Sequence, residues 1–262
     1  MKNSKIYTFL FGFLLFVIIS IFYLYQNTNK NIYLFDIILK KNDELAFYND
    51  TPKLIIPKKK PDAIIIQRKD TLLKNKTILL AGDSEAGSII FAFQKYCILN
   101  GHKLSRIIIW NSATDMAYAS NDTLANNIKI YKPDYIIFII GLNQIYQTRF
   151  DNSRVAVNKI IDQFGDIPYT WIGPANWIDD FGINKMYQET IDSGAFFLSE
   201  NLILERAEDG RHPSIKGSKI WVDSICNFLT KKAKYRIQME KIDTPFKKQK
   251  LNILTLYGGK KN

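Results

Sequence analysis

The sequence has few of the residues that build metal centres and disulfide scaffolds. Its 262 residues include only two cysteines, Cys97 and Cys226, and two histidines, His102 and His212. Their spacing fits no structural zinc site, which argues against a zinc module, and two cysteines are too few for a disulfide-rich fold. Both cysteines fall in segments with helical patterns, which predicts two small buried side chains. A single disulfide between them stays open if the domain lies outside the cytoplasm.

The sequence also lacks internal repeats, low-complexity tracts and nucleic-acid-binding motifs. Its net charge of +11 is uneven, because residues 231–262 hold ten Lys or Arg against two acidic residues, a net of +8. Such a segment predicts either a solvated basic tail or contact with an anionic glycan, lipid or nucleic acid. No zinc finger, paired aromatic motif or recognition-helix pattern accompanies it, so a nucleic-acid partner is not expected.

A long uncharged run near the N-terminus predicts the compartment. Residues 6–25 are nearly all apolar, and at about 1.5 Å per residue they span a hydrocarbon core of about 30 Å. Lys2 and Lys5 precede the run, which favours a cytoplasmic location for residues 1–5. The bulky residues 22–25 argue against signal-peptide cleavage. We therefore expect a single-pass signal anchor in the cell membrane, with the following chain outside the cytoplasm (periplasmic or external).

The chain after this run divides by composition. Residues 26–75 contain charge runs and few periodic segments, which predicts a stem or linker. Residues 76–231 alternate apolar runs with helical patterns and predict the folded domain. Residues 232–262 are then expected to form a basic C-terminal tail.

The apolar runs of the domain are continuous rather than alternating. The predicted strands are Thr77–Leu80, Leu104–Trp110, Tyr135–Ile140, Tyr169–Ile172 and Ala195–Leu198. Continuous apolar strands separated by helices indicate a parallel sheet that is covered on both faces. The predicted fold class is therefore α/β: a three-layer α/β/α sandwich with a parallel, flavodoxin-like five-stranded sheet, preceded by one transmembrane helix. Polar loops that follow the first three strands would share the carboxyl edge, where ligands bind.

Candidate chemistry lies in these loops. Ser84 follows the first strand at a helix start, where free N–H groups and the helix dipole favour an oxyanion, although a helix cap is an equally ordinary role. His212 is the candidate general base, and Asp209 can hold its ring. The other histidine, His102, is expected in an exposed turn. Asn143, after the third strand, is either an oxyanion donor or a turn residue.

Together these residues resemble the conserved blocks of the SGNH, or GDSL-like, hydrolase family. The matching segments are Gly82-Asp83-Ser84, Gly141-Leu142-Asn143-Gln144 and Asp209-Gly210-Arg211-His212. The resemblance covers about residues 75–230 and implies a catalytic triad of Ser84, His212 and Asp209. It implies an oxyanion hole formed by Ser84, Ser112 and Asn143. It implies no metal and no organic cofactor.

Two positions depart from the pattern of this family. Ser112 stands where the second block has a glycine, and Gln144 stands where the third block has an aspartate. A serine supplies the same backbone N–H but tolerates fewer backbone shapes. These departures leave open a non-catalytic glycan-binding or scaffold protein on an SGNH-like fold.

The resemblance and the expected location imply a serine ester hydrolase. Its substrate would be an acylated glycan or related envelope ester, from which it removes acyl groups, expected to be acetyl, through an acyl-enzyme intermediate. One alternative is a glycan O-acetyltransferase that uses the same triad with a multi-span membrane acyltransferase as its partner. A lipid-acting esterase is less favoured, because no long apolar surface helix is evident to cover a lipid-sized groove.

The substrate-contacting segment is expected after the fourth strand. Trp177 and Asn176 lie in the loop from residue 173 to residue 184 and are the candidate substrate-binding residues. Flat aromatic faces such as those of Trp110, Trp171 and Trp177 suit sugar rings, but core packing is the alternative role for all three.

Overall fold

The computed structural model describes residues 11–17, 19–20 and 72–258, together with the backbone of residues 33–34 and 37–38. The chain divides into two units, Met1–Gln67 and Arg68–Asn262.

The first unit is described only in short pieces. Residues 11–17 and 19–20 are helical, and the strands Tyr33–Leu34 and Ile37–Ile38 pair in antiparallel fashion. In the described part of the chain, no helix combines the length and apolar composition needed to cross a membrane. Much of the anchor predicted at residues 6–25, and nearly all of the predicted stem, lie outside the described residues.

The second unit is built on one sheet of parallel strands. Its elements in chain order are β1 (Thr77–Gly82), α1 (Ser84–Leu99), β2 (Lys103–Asn111), α2 (Asp115–Ala119), α3 (Thr123–Tyr131), β3 (Tyr135–Ile139), a 3-10 turn (Leu142–Gln144), α4 (Asp151–Phe164), β4 (Tyr169–Ile172), α5 (Ile183–Thr190), β5 (Phe196–Phe197), α6 (Ile215–Lys231) and β6 (Ile253–Tyr257). The strand order is β5-β4-β3-β1-β2-β6, and every pairing is parallel. The predicted parallel α/β sheet is confirmed.

The predicted number of five strands is wrong, because the sheet has six. The additional strand, β6, lies within the basic C-terminal segment and pairs with β2, with Ile107 opposite Ile253. It is an edge strand whose side chains alternate between exposed and half-buried. Several lysines precede it, so its local pattern resembles a solvated tail more than the buried runs of the central strands.

Helices cover both faces of the sheet. On one face, Ile78 and Leu80 of β1 pack in one hydrophobic cluster with residues of α1 and α6. On the other face, Leu79 and Ala81 pack with residues of α2 to α5. This alternation follows from the period of two along a strand and explains why β1 is apolar throughout. The thiols of Cys97 and Cys226 are free and buried in the first cluster.

The sheet places its candidate site between β1 and β3. The chain connections leave β1 toward β2 on one side, whereas β3 lies on the other side, and ligand sites in such sheets form at this division. Gly82 ends β1 in close contact with β3, since a Cβ atom on this residue would lie 2.0 Å from the carbonyl oxygen of Ile139. Only glycine allows this approach, which brings the loops after the two strands together.

Candidate active site

Ser84 is the first residue of α1 and is half-buried. Asp83 caps the helix, because its side chain accepts the backbone N–H of Glu85 at 2.9 Å. Asp83, and not Ser84, therefore provides the side-chain cap of this helix. The helix therefore supplies a favourable dipole to any negative charge that develops beside Ser84.

The hydroxyl of Ser84 lies at one end of a hydrogen-bonded chain of three side chains. Ser84 Oγ is 2.8 Å from His212 Nε2, and His212 Nδ1 is 2.5 Å from Asp209 Oδ2. A neutral imidazole that donates Nδ1–H to Asp209 leaves Nε2 to accept the serine proton. The arrangement can transfer a proton away from Ser84 when the hydroxyl attacks an electrophile.

The loop between β5 and α6 fixes the geometry of Asp209. Its Oδ1 accepts the backbone N–H groups of Arg211 at 2.9 Å and of His212 at 3.0 Å. The bond to the His212 ring, followed by these two backbone bonds, lowers the pKa of the Asp209 carboxyl to about 2. Asp209 is therefore a carboxylate across the neutral range and stabilises an imidazolium at His212.

Asn143 lies in the 3-10 turn after β3 and is exposed. Its Nδ2 donates to the carbonyl of Ala113 at 2.9 Å, which joins the loop after β3 to the loop after β2. The amide carries two protons, so this bond leaves the second one for an oxyanion. Ser112, beside Ala113, has a positive φ of 60°. This is the left-handed conformation that glycine adopts most easily, and it turns the chain at the end of β2.

A buried polar network that the sequence did not predict lies behind Asn143. Gln144 Oε1 accepts the N–H of Asp115 at 3.0 Å, and Gln144 Nε2 donates to Ser153 Oγ at 3.2 Å. The hydroxyl of Tyr187 donates to Asp115 Oδ2 at 3.3 Å. Burial raises the pKa of the Asp115 carboxyl. Gln144 thus ties the turn that carries Asn143 to α2 through Asp115 and to α4 through Ser153.

Two buried carboxyls flank Ser84, and the sequence reasoning did not single them out. Asp83 Oδ2 accepts the N–H of Gly141 at 3.3 Å, which ties the start of α1 to the Asn143 turn. Burial raises the pKa of Asp83 to about 6 despite the backbone bonds that oppose the rise. Glu85 Oε1 accepts the N–H of Ala175 at 3.2 Å. The sequence does show an acidic residue on each side of Ser84. It does not show that both are buried, because their burial depends on contacts with loops that are distant along the chain.

The two predicted substrate-binding residues have different surroundings. Trp177 is half-exposed, and the Arg211 guanidinium carbon lies 5.6 Å from the centre of its ring. Tyr146 packs edge-on against Trp177, with 6.3 Å between ring centres. Asn176 instead donates its Nδ2 to Asp180 Oδ2 at 2.9 Å. Trp177 therefore lies beside the His212 loop, whereas the amide of Asn176 is engaged inside its own loop.

The other two tryptophans of the rim pack against aromatic neighbours. Trp171 is fully buried and contacts Phe138 edge-on, with 4.7 Å between ring centres. Trp110 is half-buried and contacts Tyr118 at 5.1 Å. Their role is core packing. Tyr146 and Phe181, which the sequence reasoning did not name, are exposed aromatic residues near Trp177.

The expectation that His102 is exposed is wrong. Its side chain is buried, its Nδ1 accepts the N–H of Lys76 at 2.9 Å, and its Nε2 lies 2.7 Å from the carbonyl of Gln238. Burial lowers the pKa of this imidazole, which therefore stays neutral and joins two distant segments. Across the described residues, no group of three or more His, Cys, Asp or Glu side chains could hold a metal ion.

Comparison with solved structures includes a similarity to one acyltransferase domain. No protein-family model matches the chain, and no curated protein is detectably similar to it in sequence. The similar structure is the C-terminal catalytic domain of peptidoglycan O-acetyltransferase A (OatA) from Streptococcus pneumoniae, solved with a methylsulfonyl adduct. The TM-score is 0.42 at 16% identity, over 61% of this chain and 94% of that domain. A similarity at this level transfers neither an activity nor a residue role.

Proposed function

We propose that this chain is a serine enzyme that handles acyl esters, with Ser84 as nucleophile, His212 as general base and Asp209 as the residue that holds and charges the imidazole. The observation that carries the proposal is the hydrogen-bonded chain of Ser84, His212 and Asp209, with distances of 2.8 and 2.5 Å. The resemblance of the surrounding motifs to the SGNH-type hydrolases supports it.

The proposed reaction has two stages. His212 Nε2 takes the proton of Ser84 Oγ while Oγ bonds to the ester carbonyl carbon, and the carbonyl oxygen becomes an oxyanion. The bond to the alcohol then breaks, His212 gives its proton to the departing oxygen, and an acyl-enzyme remains. Water, activated by His212, attacks the acyl-enzyme and releases the acid. The N–H groups of Ser84 and Ser112 and the amide of Asn143 are the proposed oxyanion donors.

We further propose that the alcohol is a glycan hydroxyl and the acyl group an acetyl group. The exposed ring of Tyr146 packs edge-on against the half-exposed ring of Trp177, which lies beside Arg211 in the His212 loop, and this aromatic pair supports a sugar-binding surface. The same acyl-enzyme can pass its acetyl group to a sugar hydroxyl instead of water, so hydrolysis and glycan O-acetylation share every step up to that point. The membrane anchor at residues 6–25 and a multi-span acyltransferase partner belong to this proposal.

The test is turnover of 4-nitrophenyl acetate by Ser84→Ala. We expect kcat/KM to fall by about 10³-fold or more, because the acyl-enzyme cannot form. Ser224→Ala is the matched control, since Ser224 is a half-buried serine in α6 whose hydroxyl donates to the carbonyl of Ile220 in its own helix, and it should retain full turnover. A fluorophosphonate probe should label the native chain and not Ser84→Ala. Full turnover by folded Ser84→Ala would refute the proposal.

A second assay separates water from a sugar as the acyl acceptor. The native chain is given 4-nitrophenyl acetate with and without a glycan oligosaccharide, and the products are analysed by mass spectrometry. Acetate alone supports hydrolysis. An acetylated oligosaccharide, absent with Ser84→Ala, supports transfer.

A further inference from the structure

A groove of about 860 Å³ lies between α1, α6 and residues 240–248. Large apolar side chains line it, and two of them are strongly exposed: Phe91 at 66% and Ile215 at 81%. Ile242 and Phe246 contribute to the third wall. Its volume falls within the range of about 300–1,000 Å³ that is usual for ligand sites. Exposed apolar side chains gathered in one concave surface indicate a binding site.

Both helical walls of the groove begin at the candidate catalytic residues. Ser88, Phe91 and Lys95 line the groove and stand four, seven and eleven residues after Ser84, the spacing of one helical face. On the facing wall, Pro213 directly follows His212, and Ile215 begins α6. The lining therefore begins about one helical turn after Ser84 on one wall and at the residue after His212 on the other, and it continues along both helices away from the candidate catalytic residues.

Polar contacts join the three walls at the far end. The hydroxyl of Tyr96, on α1, donates to Asp223 Oδ1 at 2.8 Å, and Lys241 Nζ donates to Asp223 Oδ2 at 2.5 Å. From Ser88 to Leu99 the helix rises about 16 Å at about 1.5 Å per residue. Apolar side chains come from all three walls, and seven charged side chains line the groove beside them, among them Lys95, Asp223 and Lys248. The apolar side chains suit a linear hydrocarbon chain, and the lysine stems can extend along it while their charged ends reach water.

The position of the groove relative to His212 indicates which part of an ester it holds. In acyl transfer by a serine and a histidine, the imidazole protonates the departing alcohol, so the alcohol lies beside the imidazole. The groove starts at Pro213 and Ile215, on the chain next to His212, while Asn143 and Ser112 belong to other loops and are not part of its lining. The alcohol portion of the ester is therefore the part nearest the groove.

We infer that the groove binds a hydrocarbon chain attached to the alcohol portion of the substrate, so that the substrate is an acylated amphiphile rather than a free sugar ester. This inference rests on the proposed function, because that function gives the position of the ester. The presence of the groove does not depend on it. The sequence offered no long apolar helix to cover such a groove. In the structure, one face of α1, one face of α6 and residues 240–248 of the basic segment form the groove together.

The experiment compares two substrates that differ only in their hydrocarbon chain. They are octyl β-glucoside and methyl β-glucoside, each acetylated at O6, and the measured quantity is the ratio of their kcat/KM values. Because each buried methylene adds to binding, we expect the octyl compound to be favoured by at least about tenfold. A ratio near one in the native chain would overturn the inference.

Variants localise the preference to the groove. Phe91→Asp and Ile215→Asp should bring the ratio close to one, with folding checked by chemical denaturation. Ile203→Asp is the matched control, because Ile203 is 97% exposed and does not line the groove, and it should keep the native ratio. Retention of the native ratio by both groove variants would overturn the inference. A second result would also overturn the inference: the native chain prefers 4-nitrophenyl octanoate to 4-nitrophenyl acetate, and Phe91→Asp abolishes this preference. That result would place the hydrocarbon chain on the acyl side of the ester.

Binding without catalysis separates this inference from the proposed function. Isothermal titration calorimetry on Ser84→Ala uses octyl β-glucoside below its micellar concentration, with methyl β-glucoside as the reference. Saturable binding of the octyl compound alone, lost in Ser84→Ala combined with Phe91→Asp, supports the groove even where no ester is turned over. Equal or absent binding of the two glucosides would overturn it, whatever the activity of Ser84.

Discussion

The buried carboxyl of Glu85 accepts the backbone N–H of Ala175, with 3.2 Å between Glu85 Oε1 and the nitrogen. The bond joins the residue beside Ser84 to the loop after β4. Arg206 holds the same loop through the carbonyl of Ala175 at 2.8 Å and also donates to the carbonyl of Arg211 at 3.0 Å. The nucleophile turn, the loop of Trp177 and the loop of His212 are therefore linked by the side chains of Glu85 and Arg206.

Glu85 should make the stability of the protein depend on pH. Burial, followed by the charge of Asp83, raises the pKa of Glu85 well above its ordinary value of 4.5. Above pH 4.5 the unfolded chain has released a proton that the folded protein still holds, so the free energy of unfolding falls as the pH rises. Glu85→Gln mimics the protonated side chain and should remove this part of the slope. Denaturation at pH 5, 6, 7 and 8 measures it.

The comparison needs an acidic residue without such surroundings. Glu208 is exposed, and Glu208→Gln should leave the native slope unchanged. Asp83 keeps its own contribution in both variants, over the interval between its ordinary pKa of 3.8 and its raised value of about 6. Parallel stability curves for the native chain and Glu85→Gln would show that Glu85 is ionised in the folded protein.

Asp209 should affect turnover through the imidazole. Asp209→Asn removes the carboxylate charge and favours the tautomer that points an N–H at Ser84, so we expect kcat to fall by about 10³- to 10⁴-fold with little change in KM. Asp166→Asn, at an exposed turn, should change neither constant. The measurement is the steady-state kinetics of 4-nitrophenyl acetate hydrolysis. A native kcat for Asp209→Asn would exclude Asp209 from the triad.

The pKa of Asp209 also sets the acid limit of its contribution. Because the folded-state pKa is lowered to about 2 from 3.8, the interaction stabilises the folded protein above pH 3.8 and is lost as the pH falls toward 2. We therefore expect the stability difference between the native chain and Asp209→Asn to shrink over this interval. A constant difference from pH 5 to pH 2 would contradict the lowered pKa.

The sequence could predict, for a simple geometric reason, that the loops carrying Ser84 and Asn143 lie at one edge of the sheet. Both follow continuous apolar runs, and the ends of neighbouring parallel strands meet at one edge of a sheet. His212 could be added only through its motif, because 128 residues separate it from Ser84 along the chain. The central strands could be predicted equally well, since strands such as β3 are buried on both faces and therefore appear as continuous apolar runs.

The parts that could not be predicted depend on distant contacts. The strand β6 becomes a strand by pairing with β2, and its own sequence lies among lysines. An acidic residue in the first turn of a helix is favoured by the helix dipole and is ordinarily exposed, so the sequence around Glu85 predicts an exposed side chain. Only the packing of the loop after β4 over it explains its burial and its bond to Ala175.

Asn143 should act on the transition state more than on substrate binding. Asn143→Ala removes the amide proton offered to the oxyanion, and such losses typically cost about 10²- to 10³-fold in kcat. It also removes the bond to Ala113, so a small loss of stability should accompany it. Asn158→Ala is the control, since Asn158 is an exposed asparagine whose amide bonds one backbone carbonyl of its own helix, and it should retain native kinetics. A rise in KM with unchanged kcat would assign Asn143 to binding instead.

Ser112 should be a site where glycine stabilises the fold. Its φ of 60° costs a residue with a Cβ atom more than it costs glycine, by about 1 kcal/mol. Because the unfolded state of glycine is also more flexible, we expect Ser112→Gly to raise the free energy of unfolding by less than this, and Ser112→Val to lower it by about 1–3 kcal/mol. The backbone N–H proposed as an oxyanion donor is kept in Ser112→Gly, so its kcat should stay within about threefold of the native value.

Lys132, with a φ of 43° at the end of α3, gives the comparison: Lys132→Gly should stabilise by a similar amount with no kinetic effect. A loss of kcat in Ser112→Gly with native stability would mean that the serine side chain itself takes part in the reaction.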